Sequence, residues 1–482
     1  MATRVAGIGQ VLQLQIEGLA HDGQGVGRWQ DVALFVPGAL PGETVSVRVR
    51  RLAKRHLEAD LIGVETPSPD RIRPACILSE RCGGCTLQHC RSVAQDAFKT
   101  DQVVQALRRI GQLEVPVDPI WSAAAPLGYR NRALIPLERT ADGLLRAGYY
   151  RRGSHRIVNM NRCPVLDPRI DALIEPIKAD LEATGWPVDV NLSGGGGLRH
   201  LALRVGHHSG EVLISLVSSH DHLPGLEALA ARWQERWPQV VGVSLNLQPR
   251  ATNVVLGPET RTITGKAWLQ ERFAGLDLQI GADTFFQVNT PQAERLVPLL
   301  QEFFQPGPTM PLLDAYCGIG TFSLPLAAAG SPVLGLEAHE SSVQQASASA
   351  ARNDHDCPLR AGRCGCGAAG APERMRRTVG GSAAEGPLPG DGGGDPAGPP
   401  PEAGLHQLQP RHPGAGSGLV LQLRRLPPAA GATGRLLPAD EPRGVRGSAG
   451  AGLSVLRRAA QPRTASPAPR GWPGGPGPPP HR

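Results

Sequence analysis

Three cysteines stand close together in one short segment, and their spacing restricts what the chain around them can fold into. In CILSERCGGCTLQHC, Cys76, Cys82 and Cys85 follow a C-x5-C-x2-C pattern around the turn Gly83-Gly84. Glycine has no Cβ, so the backbone there can wrap tightly and turn amide N–H groups towards the sulfurs. Thiolates held this close together favour a metal site, which needs a fourth ligand.

The best candidate for the fourth ligand is Cys163, in the polar turn NRCPVLDP well downstream. Four cysteine ligands with these spacings suit a [4Fe–4S] cluster, and a tetrahedral zinc ion is the next choice. Ordinary buried thiols or disulfides are a third interpretation. Cys90 has no partner in this scheme.

Composition restricts the class of protein and its partners. The chain has 482 residues, enough for two or three domains, and a formal net charge of +7, which favours a polyanionic partner. Its first residues form no apolar leader, and no run of about twenty apolar residues occurs. We therefore expect a cytoplasmic, monomeric protein that does not enter the membrane. In that compartment thiols stay reduced, so clustered cysteines serve as metal ligands or catalytic groups.

The pattern CxxxxxCGGCxLQH, followed much later by a cysteine in CPVLD, resembles the iron–sulfur branch of the RNA uracil-5-methyltransferases, which make 5-methyluridine in ribosomal RNA. The likeness extends from about Val11 to about Asn353. It implies a multidomain fold with an OB-like TRAM β-barrel, a central α+β iron–sulfur domain and a Rossmann-like α/β class I methyltransferase domain. The implied cofactors are S-adenosylmethionine and a [4Fe–4S] cluster. The implied partner is ribosomal RNA, structured or in a single-stranded loop, with transfer RNA as the alternative.

Residues 7–67 and 68–280 are expected to form the first two domains. The first stretch alternates apolar and polar residues in short runs between Gly and Pro-Gly turns, which predicts a small antiparallel β-barrel. One strand of it is basic, and would supply phosphate contacts or a solvated charged face. Its charged residues are Arg48, Arg50, Arg51, Lys54 and Arg55. In the second stretch, apolar spacing from Ala94 to Ile110 predicts an amphipathic helix that Gly111 ends.

Arginine alternates with tyrosine and histidine in three strand-like segments of the central domain. They are YRNRALIPL (129–137), RAGYYRRGSHRIV (146–158) and LRHLALRVG (198–206). Guanidinium groups and aromatic faces together can bind phosphates and splayed bases, which is how looped RNA is usually recognised. Any one such strand could be an exposed sheet face, but three in one domain favour RNA binding.

Residues 281–353 are expected to begin the methyltransferase domain. The segment GADTFFQVNTPQAERL resembles the family's FFQVN segment, which implies that Gln287 contacts S-adenosylmethionine. A core plug made by Phe285 and Phe286 is the alternative interpretation. A helix is predicted to start at Pro291, with Thr290 as its cap.

A buried strand, a Gly-rich turn and a helix follow in MPLLDAYCGIGTFSLPLA, and SPVLGLEA then supplies a second strand that ends in Glu337. In a doubly wound sheet the ligand lies at the carboxyl end of such strands, where an acidic residue can accept bonds from both ribose hydroxyls. The resemblance implies that Tyr316 and Glu337 contact the cofactor and that Asp314 supports the loop. Thr321 stands where the family often has Asn, and is taken as a further cofactor residue. Cys317, inside this motif, is not the expected nucleophile.

After Asn353 the composition changes abruptly. Residues 354–482 contain no Lys, Asn, Ile, Phe or Tyr and are rich in Gly, Pro, Ala and Arg. One interpretation is a disordered tail, because so few large apolar residues cannot offset the entropy of ordering. Cys357, Cys364 and Cys366 stand close together here, but a metal site made of them is not expected.

A frameshift is the second interpretation of this tail. Read one base later, the codons for residues 359–365 permit Phe-Val-Gln-Ala-Asp-Val, which is similar to the family's third strand. The same step permits Asp-Pro-Pro-Arg-Lys through residues 398–403 and Tyr-Ser-Cys-Asp through 421–425, in the order of the family's DPPR and YxSCN motifs. The hypothesis is that one base was gained near codons 353 to 358.

The family chemistry depends on what this tail lacks. In the family a uridine is flipped out of the RNA, a cysteine thiolate adds to C6 of its ring, and C5 then takes the methyl group before a base removes the C5 proton. Neither that nucleophile nor that base can be placed in the written sequence. The chain is therefore either a 23S ribosomal RNA uracil-5-methyltransferase by lineage, inactive as written, or a non-catalytic iron–sulfur RNA-binding protein.

Overall fold

The first domain is a closed five-stranded barrel. The computed structural model describes residues 6–192 and 194–362, and the backbone alone of 423–425. The strands run in the order β1-β2-β3-β5-β4, and β4 returns to pair with β1. Alternate residues of each strand point into the barrel, as the sequence pattern predicts. The strands are β1 (Val11–Leu19), β2 (Gly25–Trp29), β3 (Val32–Val36), β4 (Thr44–Leu52) and β5 (His56–Thr66).

One strand pairing of the barrel differs from the prediction. The strands were expected to be antiparallel throughout, but β3 and β5 are parallel, with Leu34 opposite Leu57. This pairing joins strands that are not consecutive in the chain, so no local turn signal announces it. Both leucines are fully buried, and their burial stabilises the pairing of β3 with β5.

A buried ion pair joins the barrel to the segment that leads into the cysteines. Arg71 donates from Nε and Nη2 to the two carboxylate oxygens of Glu43, at 2.5 and 2.7 Å. Burial alone would raise the pKa of Glu43, but the bonds from Arg71 and from the amides of Leu40 and Ser68 outweigh it and lower that pKa. Glu43 is completely buried, so its charge depends on these partners.

Helix α1 (Ser92–Arg109) follows the cysteine segment. It begins two residues before the predicted start and gives way to Ile110 and Gly111, where the sequence places its end. None of its residues is fully buried, and Ile110 is 85% exposed. Its apolar face is therefore only partly covered by the described chain.

The central domain is a six-stranded sheet covered by two helices. Its strand order is β11-β10-β9-β8-β6-β7, in which only β9 and β10 are parallel neighbours; helix α3 makes the crossover between them. Both helices bury their apolar faces on this sheet. The elements are β6 (Arg132–Arg139), β7 (Leu145–Ala147), α2 (Pro168–Ala183), β8 (Leu198–Val205), β9 (Val212–Ser218), α3 (Leu226–Arg236), β10 (Val240–Leu247) and β11 (Glu259–Gly265).

The last domain combines a hairpin, a short parallel sheet and three helices. Strands β14, β15 and β16 are parallel, as a doubly wound sheet requires, whereas β17 lies antiparallel beside β14. The hairpin β12–β13 shares the core of this domain. The elements are β12 (Trp268–Phe273), β13 (Leu276–Gly281), α4 (Thr290–Phe304), β14 (Leu312–Asp314), α5 (Ser323–Ala328), β15 (Val333–Glu337), α6 (Glu340–Arg352), β16 (Leu359–Ala361) and β17 (Leu423–Arg425).

The core of this domain reaches a little beyond the point where the composition changes. Asn353 exchanges two hydrogen bonds with the backbone of Asp277, at 2.8 and 3.0 Å. Cys357 is buried in the same core, where its thiol lies against the carbonyl of Val333. Most of the predicted tail, including Cys364 and Cys366, lies outside the described residues. Within the described part of the chain, no helix is long and apolar enough to cross a membrane.

Candidate cofactor loop, cysteine site and basic surfaces

Asp314 organises the Gly-rich loop that follows β14. Its carboxylate accepts from the hydroxyl of Ser323 at 2.7 Å and from the amide of Tyr316 at 3.3 Å. Burial raises the pKa of Asp314 and these two bonds only partly oppose it. The family resemblance implies this supporting position for Asp314, but it does not point to Ser323, the first residue of α5. A small hydroxyl residue just after a Gly-rich loop is the signal that could have found it.

Glu337 lies at the carboxyl end of β15, directly beside this loop. Its carboxylate accepts from the amide of Gly318 at 3.1 Å and from the amide of His339 at 2.9 Å. Gly318 has a φ of +56°, a left-handed conformation that favours glycine. A carboxylate offers about four lone pairs, so these two amides fix Glu337 and leave acceptor capacity for a ligand's hydroxyls. The ribose-binding role expected of Glu337 stays a prediction.

The other predicted residues of the loop differ in exposure. The side chain of Tyr316 is 61% exposed and can cover a bound ligand, whereas Thr321 is buried. Cys317 is also buried, and burial raises the pKa of its thiol far above the usual range. A thiol held protonated is a poor nucleophile, and the non-catalytic role expected for Cys317 stays a prediction.

The FFQVN segment is half core and half surface. Phe286 packs edge-on against Phe273 with ring centroids 5.7 Å apart, and Phe285 is 50% exposed. The core-plug interpretation therefore holds for Phe286 alone. Gln287 is half-buried, and its backbone carbonyl accepts from the side chain of Asn131 at 2.9 Å.

Helix α4 begins one residue earlier than predicted. The side chain of Asn289, not Thr290, is the cap, and it accepts from the amide of Gln292. Thr290 is the first helical residue, and its hydroxyl accepts from Asn131 at 3.0 Å. Asn131 precedes β6 of the central domain, so this one amide ties the central domain to the start of α4. No local pattern in YRNRAL distinguishes Asn131, so its bonds to the start of α4 are not predictable from the local sequence.

The fold brings the four predicted cysteine ligands together. The thiol of Cys82 lies near those of Cys76 and Cys163, and Cys85 and Cys163 also influence each other's charge. Burial raises the pKa of Cys82, Cys85 and Cys163, with a further rise from the neighbouring thiols. Cys90 is buried beside Asp70 and Arg71 instead, outside this group. We call Cys76, Cys82, Cys85 and Cys163 the cysteine site.

Donors surround these sulfurs in the way that thiolate ligands require. The amide of Leu78 donates to Cys76 and that of Gly84 to Cys82, both at 3.4 Å, and the side chain of Gln88 donates to Cys85 at 3.2 Å. Gly83 has no room for a side chain, because a Cβ there would lie 2.9 Å from the carbonyl of Tyr150. The cysteine loop therefore packs directly against the backbone of the central domain.

The donor set of the cysteine site consists of four thiols, three of which accept an N–H bond, and N–H···S bonds are typical of iron–sulfur ligands. None of the seven described cysteines forms a disulfide. Across the described residues, no group of three or more His, Cys, Asp or Glu side chains is arranged to hold a metal ion. The [4Fe–4S] cluster therefore stays a prediction from the sequence pattern.

Two of the three arginine-rich segments bury arginines that were predicted to be available to RNA. Strand β8 is buried along its whole length, and Arg199 donates to the carbonyls of Gln248 and Arg250 at 2.8 and 3.0 Å. Arg204 donates to the carbonyl of Thr284, and burial lowers its pKa. The prediction that LRHLALRVG binds RNA is therefore wrong. In YRNRALIPL, burial lowers the pKa of Arg132 to about 10, while Arg130 is exposed.

The third segment and the barrel do present basic side chains. Arg146, Arg151 and Arg156 are exposed and line a concavity beside the cysteine site. On the barrel, Arg50 and Arg51 bond to Glu58 at 2.9 and 3.1 Å, which neutralises part of the basic strand. The remaining three are exposed and make no salt bridge to any described residue. They are Arg48, Lys54 and Arg55.

The structure combines an OB-like barrel with a Gly-rich loop that lies beside an acidic residue at the end of the next parallel strand. This combination is typical of nucleic-acid-modifying proteins with a class I methyltransferase fold. The TRAM domain model matches residues 6–62, and the tRNA (Uracil-5-)-methyltransferase model matches residues 204–358. The chain belongs to the TRAM-containing RNA (uracil-5-)-methyltransferase family.

Relatives and a solved structure agree with this assignment. The chain is 51% identical over 343 residues to an uncharacterised RNA methyltransferase of Parasynechococcus marenigrum, covering 71% of this chain and 74% of the relative. It is 44% identical to one of Nostoc sp., covering 72% and 75%. The crystal structure of Pyrococcus abyssi tRNA (uracil-54, C5)-methyltransferase with S-adenosyl-L-homocysteine has a TM-score of 0.57 and 28% identity, covering 73% of this chain and 79% of that one.

Proposed function

We propose that this chain is, by lineage, an S-adenosylmethionine-dependent enzyme that methylates C5 of uracil in 23S ribosomal RNA. One observation carries the cofactor part: the carboxylate of Glu337 is fixed by two backbone amides at the carboxyl end of β15, beside the exposed ring of Tyr316. S-adenosyl-L-homocysteine in the Pyrococcus abyssi relative supports the same ligand class. Bound there, S-adenosylmethionine supplies the methyl group.

Each residue of the cofactor loop has a definite part in this proposal. Glu337 would accept hydrogen bonds from the ribose hydroxyls, and Tyr316 would cover the nucleoside. Asp314 holds the loop through its bonds to Ser323 and to the amide of Tyr316. Gln287 and Thr321 complete the proposed set, with Gln287 held in register by the bond from Asn131 to its carbonyl.

The cysteine site is proposed to hold a [4Fe–4S] cluster. The grouping of four thiols and the three N–H···S bonds around them support it. The cluster would link the segment around Cys82 to the turn that carries Cys163. The proposed role of the cluster is structural, because it would fix the cysteine loop against the central domain.

The written chain is proposed to lack methyltransferase activity. The family match ends at residue 358. Among the described residues, Cys357 is the last along the chain whose side chain is buried. The one described strand beyond residue 362, β17, lies antiparallel in a sheet that is otherwise parallel. These observations support a change of reading frame near codons 353 to 358, which removes the nucleophilic cysteine and the base.

The substrate choice rests on the cysteine motif, which resembles the ribosomal RNA branch of the family. Transfer RNA is the alternative, as the substrate named for the Pyrococcus abyssi relative. Tritium release from 5-³H-uridine 23S ribosomal RNA and from transfer RNA, measured with the frame-restored chain, tests the proposal. Release from transfer RNA alone would reject the ribosomal assignment, and release from neither would reject the activity.

A non-catalytic iron–sulfur RNA-binding protein is the second candidate function. The completeness of the barrel and central sheet, compared with the short last sheet, favours it for the chain as written. Sequencing the gene across codons 345 to 370 separates the candidates: an in-frame gene supports the binding protein, and an extra base supports the inactivated enzyme.

A further inference from the structure

A concave basic surface lies beside the cysteine site and is distinct from the cofactor loop. Its cavity volume is about 400 Å³. The lining residues are Arg81, Arg146, Arg151, Arg156, Glu138, Ile157 and Val158. We call this surface the arginine groove. Neither the family match nor the proposed cofactor and cluster residues account for it.

The charge of the arginine groove is unbalanced. Arg146 lies 3.7 Å from Glu138, and both side chains are about half exposed. Arg81, Arg151 and Arg156 form no salt bridge within the described chain, so four guanidinium groups share one carboxylate. Ile157 and Val158 are buried at its base, and apolar surroundings strengthen the attraction between these cations and any anion that enters.

The backbone holds two of these like charges side by side. The amide of Arg151 donates to the carbonyl of Arg156 at 2.8 Å, which closes a tight turn, and Gly153 provides the left-handed residue with a φ of +66°. Like charges at facing positions of a hairpin repel each other. The backbone of Arg151 also forms an isolated antiparallel β-bridge with the backbone of Cys82. This bridge places Arg81, the residue before Cys82, close to the turn that carries Arg151 and Arg156. The fold thus maintains a repulsion that a bound anion would relieve.

We propose that the arginine groove binds consecutive phosphates of the RNA substrate's backbone. This inference rests on the proposed function, since it takes RNA as the ligand. Guanidinium forks bind phosphate oxygens bidentately, and four of them exceed the charge of one phosphate. A phosphodiester chain supplies one negative charge per nucleotide and satisfies several cations in a row. The exposed ring of His155, edge-on to Tyr150 at 5.8 Å, adds an aromatic surface for a base.

The test measures binding of a fluorescein-labelled single-stranded 20-nucleotide RNA to the full chain over a range of salt concentrations. Arg151→Gln/Arg156→Gln should raise Kd about 10- to 100-fold and reduce the slope of log K against log salt by roughly 1.4, from two lost phosphate contacts. The control Arg109→Gln/Arg232→Gln removes the same charge from exposed positions outside the groove and should change Kd by less than about threefold.

Two further measurements keep the outcomes distinct. Arg151→Lys/Arg156→Lys keeps the charge and removes the forks, so it should give an intermediate Kd. Inorganic phosphate titrated by calorimetry identifies a small-anion site: phosphate binding that the Gln variant loses, with its RNA affinity unchanged, would overturn the proposal. If the Gln variant and its control bind RNA with equal affinity, the proposed RNA binding by the arginine groove is wrong, but the proposed function is not affected. Absence of RNA binding by the unaltered chain at every salt concentration also overturns the groove, whereas tritium release by the frame-restored chain tests the proposed function separately.

Discussion

The barrel and the central sheet consist mostly of strands of five or more residues, whereas the strands that the described chain contributes to the last sheet have three to five residues. The barrel closes because β4 returns to β1, and the central sheet runs to six strands under two helices. The last sheet has three parallel strands of three to five residues and one short antiparallel strand. Parallel sheets are stable when long and covered on both faces, so the contrast predicts unequal stability and function along one chain.

The largest expected effect comes from restoring the reading frame. Removing one base near codon 355 should take methyl transfer from undetectable to readily measurable, because the nucleophile and the remaining strands return together. The measurement is tritium release from 5-³H-uridine RNA with S-adenosylmethionine, with the written chain assayed in parallel. Comparable rates from both chains would show that the written sheet is functional and that the contrast is mistaken.

The cysteine site should be assembled in both the written and the frame-restored chain, since its four cysteines all precede the change in composition after Asn353. Anaerobically purified protein should be brown, with broad absorption near about 400 nm from thiolate-bound iron. Cys163→Ser should remove most of that absorption, whereas Cys90→Ser, outside the site, should leave it intact. Colourless protein with stoichiometric zinc would refute the cluster.

The join between barrel and cysteine segment should be sensitive to the loss of Glu43. Glu43→Ala leaves Arg71 without its buried partner and should lower the free energy of unfolding by about 3–5 kcal/mol. The exposed pair of Glu17 and Arg28 gives the control: Glu17→Ala should cost at most about 1 kcal/mol. Urea denaturation monitored by tryptophan fluorescence makes the comparison, and equal midpoints for the two variants would contradict it.

The same carboxylate predicts a pH dependence. The pKa of Glu43 is lowered in the folded protein, so its contribution is complete above the unfolded value of about 4.3. That contribution should be lost as the pH falls through the lower folded pKa. Urea midpoints measured from neutral to acidic pH should therefore fall less steeply in Glu43→Ala than in the unaltered chain. Parallel curves would mean that Glu43 does not titrate as described.

The smallest expected effect concerns the cofactor loop of the frame-restored chain. Glu337→Gln replaces a charged acceptor with a neutral one and should weaken S-adenosylmethionine binding by about 1.5–3 kcal/mol, roughly 10- to 100-fold. Glu340→Gln, on the exposed first turn of α6, is the matched control and should bind normally. Calorimetric titration of both compares them, and equal affinities would remove Glu337 from the site.

Local sequence patterns predicted what depends on neighbours in the chain. Alternation predicted the barrel strands, and DAYCGIG followed by LGLEA predicted the loop and the acid that the structure brings together. Long-range features escaped prediction. The parallel pairing of β3 with β5, the ion pair of Glu43 and Arg71, and the bonds of Asn131 all join distant residues.

The arginines show why residue type alone misled. Arg199 and Arg204 are charged residues of a type usually exposed, but β8 lies between β6 and β9 and is buried throughout. Their guanidinium groups satisfy backbone carbonyls of distant loops, and nothing in the local sequence marks those carbonyls as partners. Arg151 and Arg156 remained exposed because a tight turn carries them.

The amide side chain of Asn131 makes the start of α4 depend on the central sheet. It donates to the carbonyl of Gln287 and to the hydroxyl of Thr290 from the residue that precedes β6. Residues 287–290 therefore cannot move away from the start of β6 without breaking two hydrogen bonds to one side chain. A single substitution in the central domain, at Asn131, should consequently loosen a segment that lies more than 150 residues further along the chain.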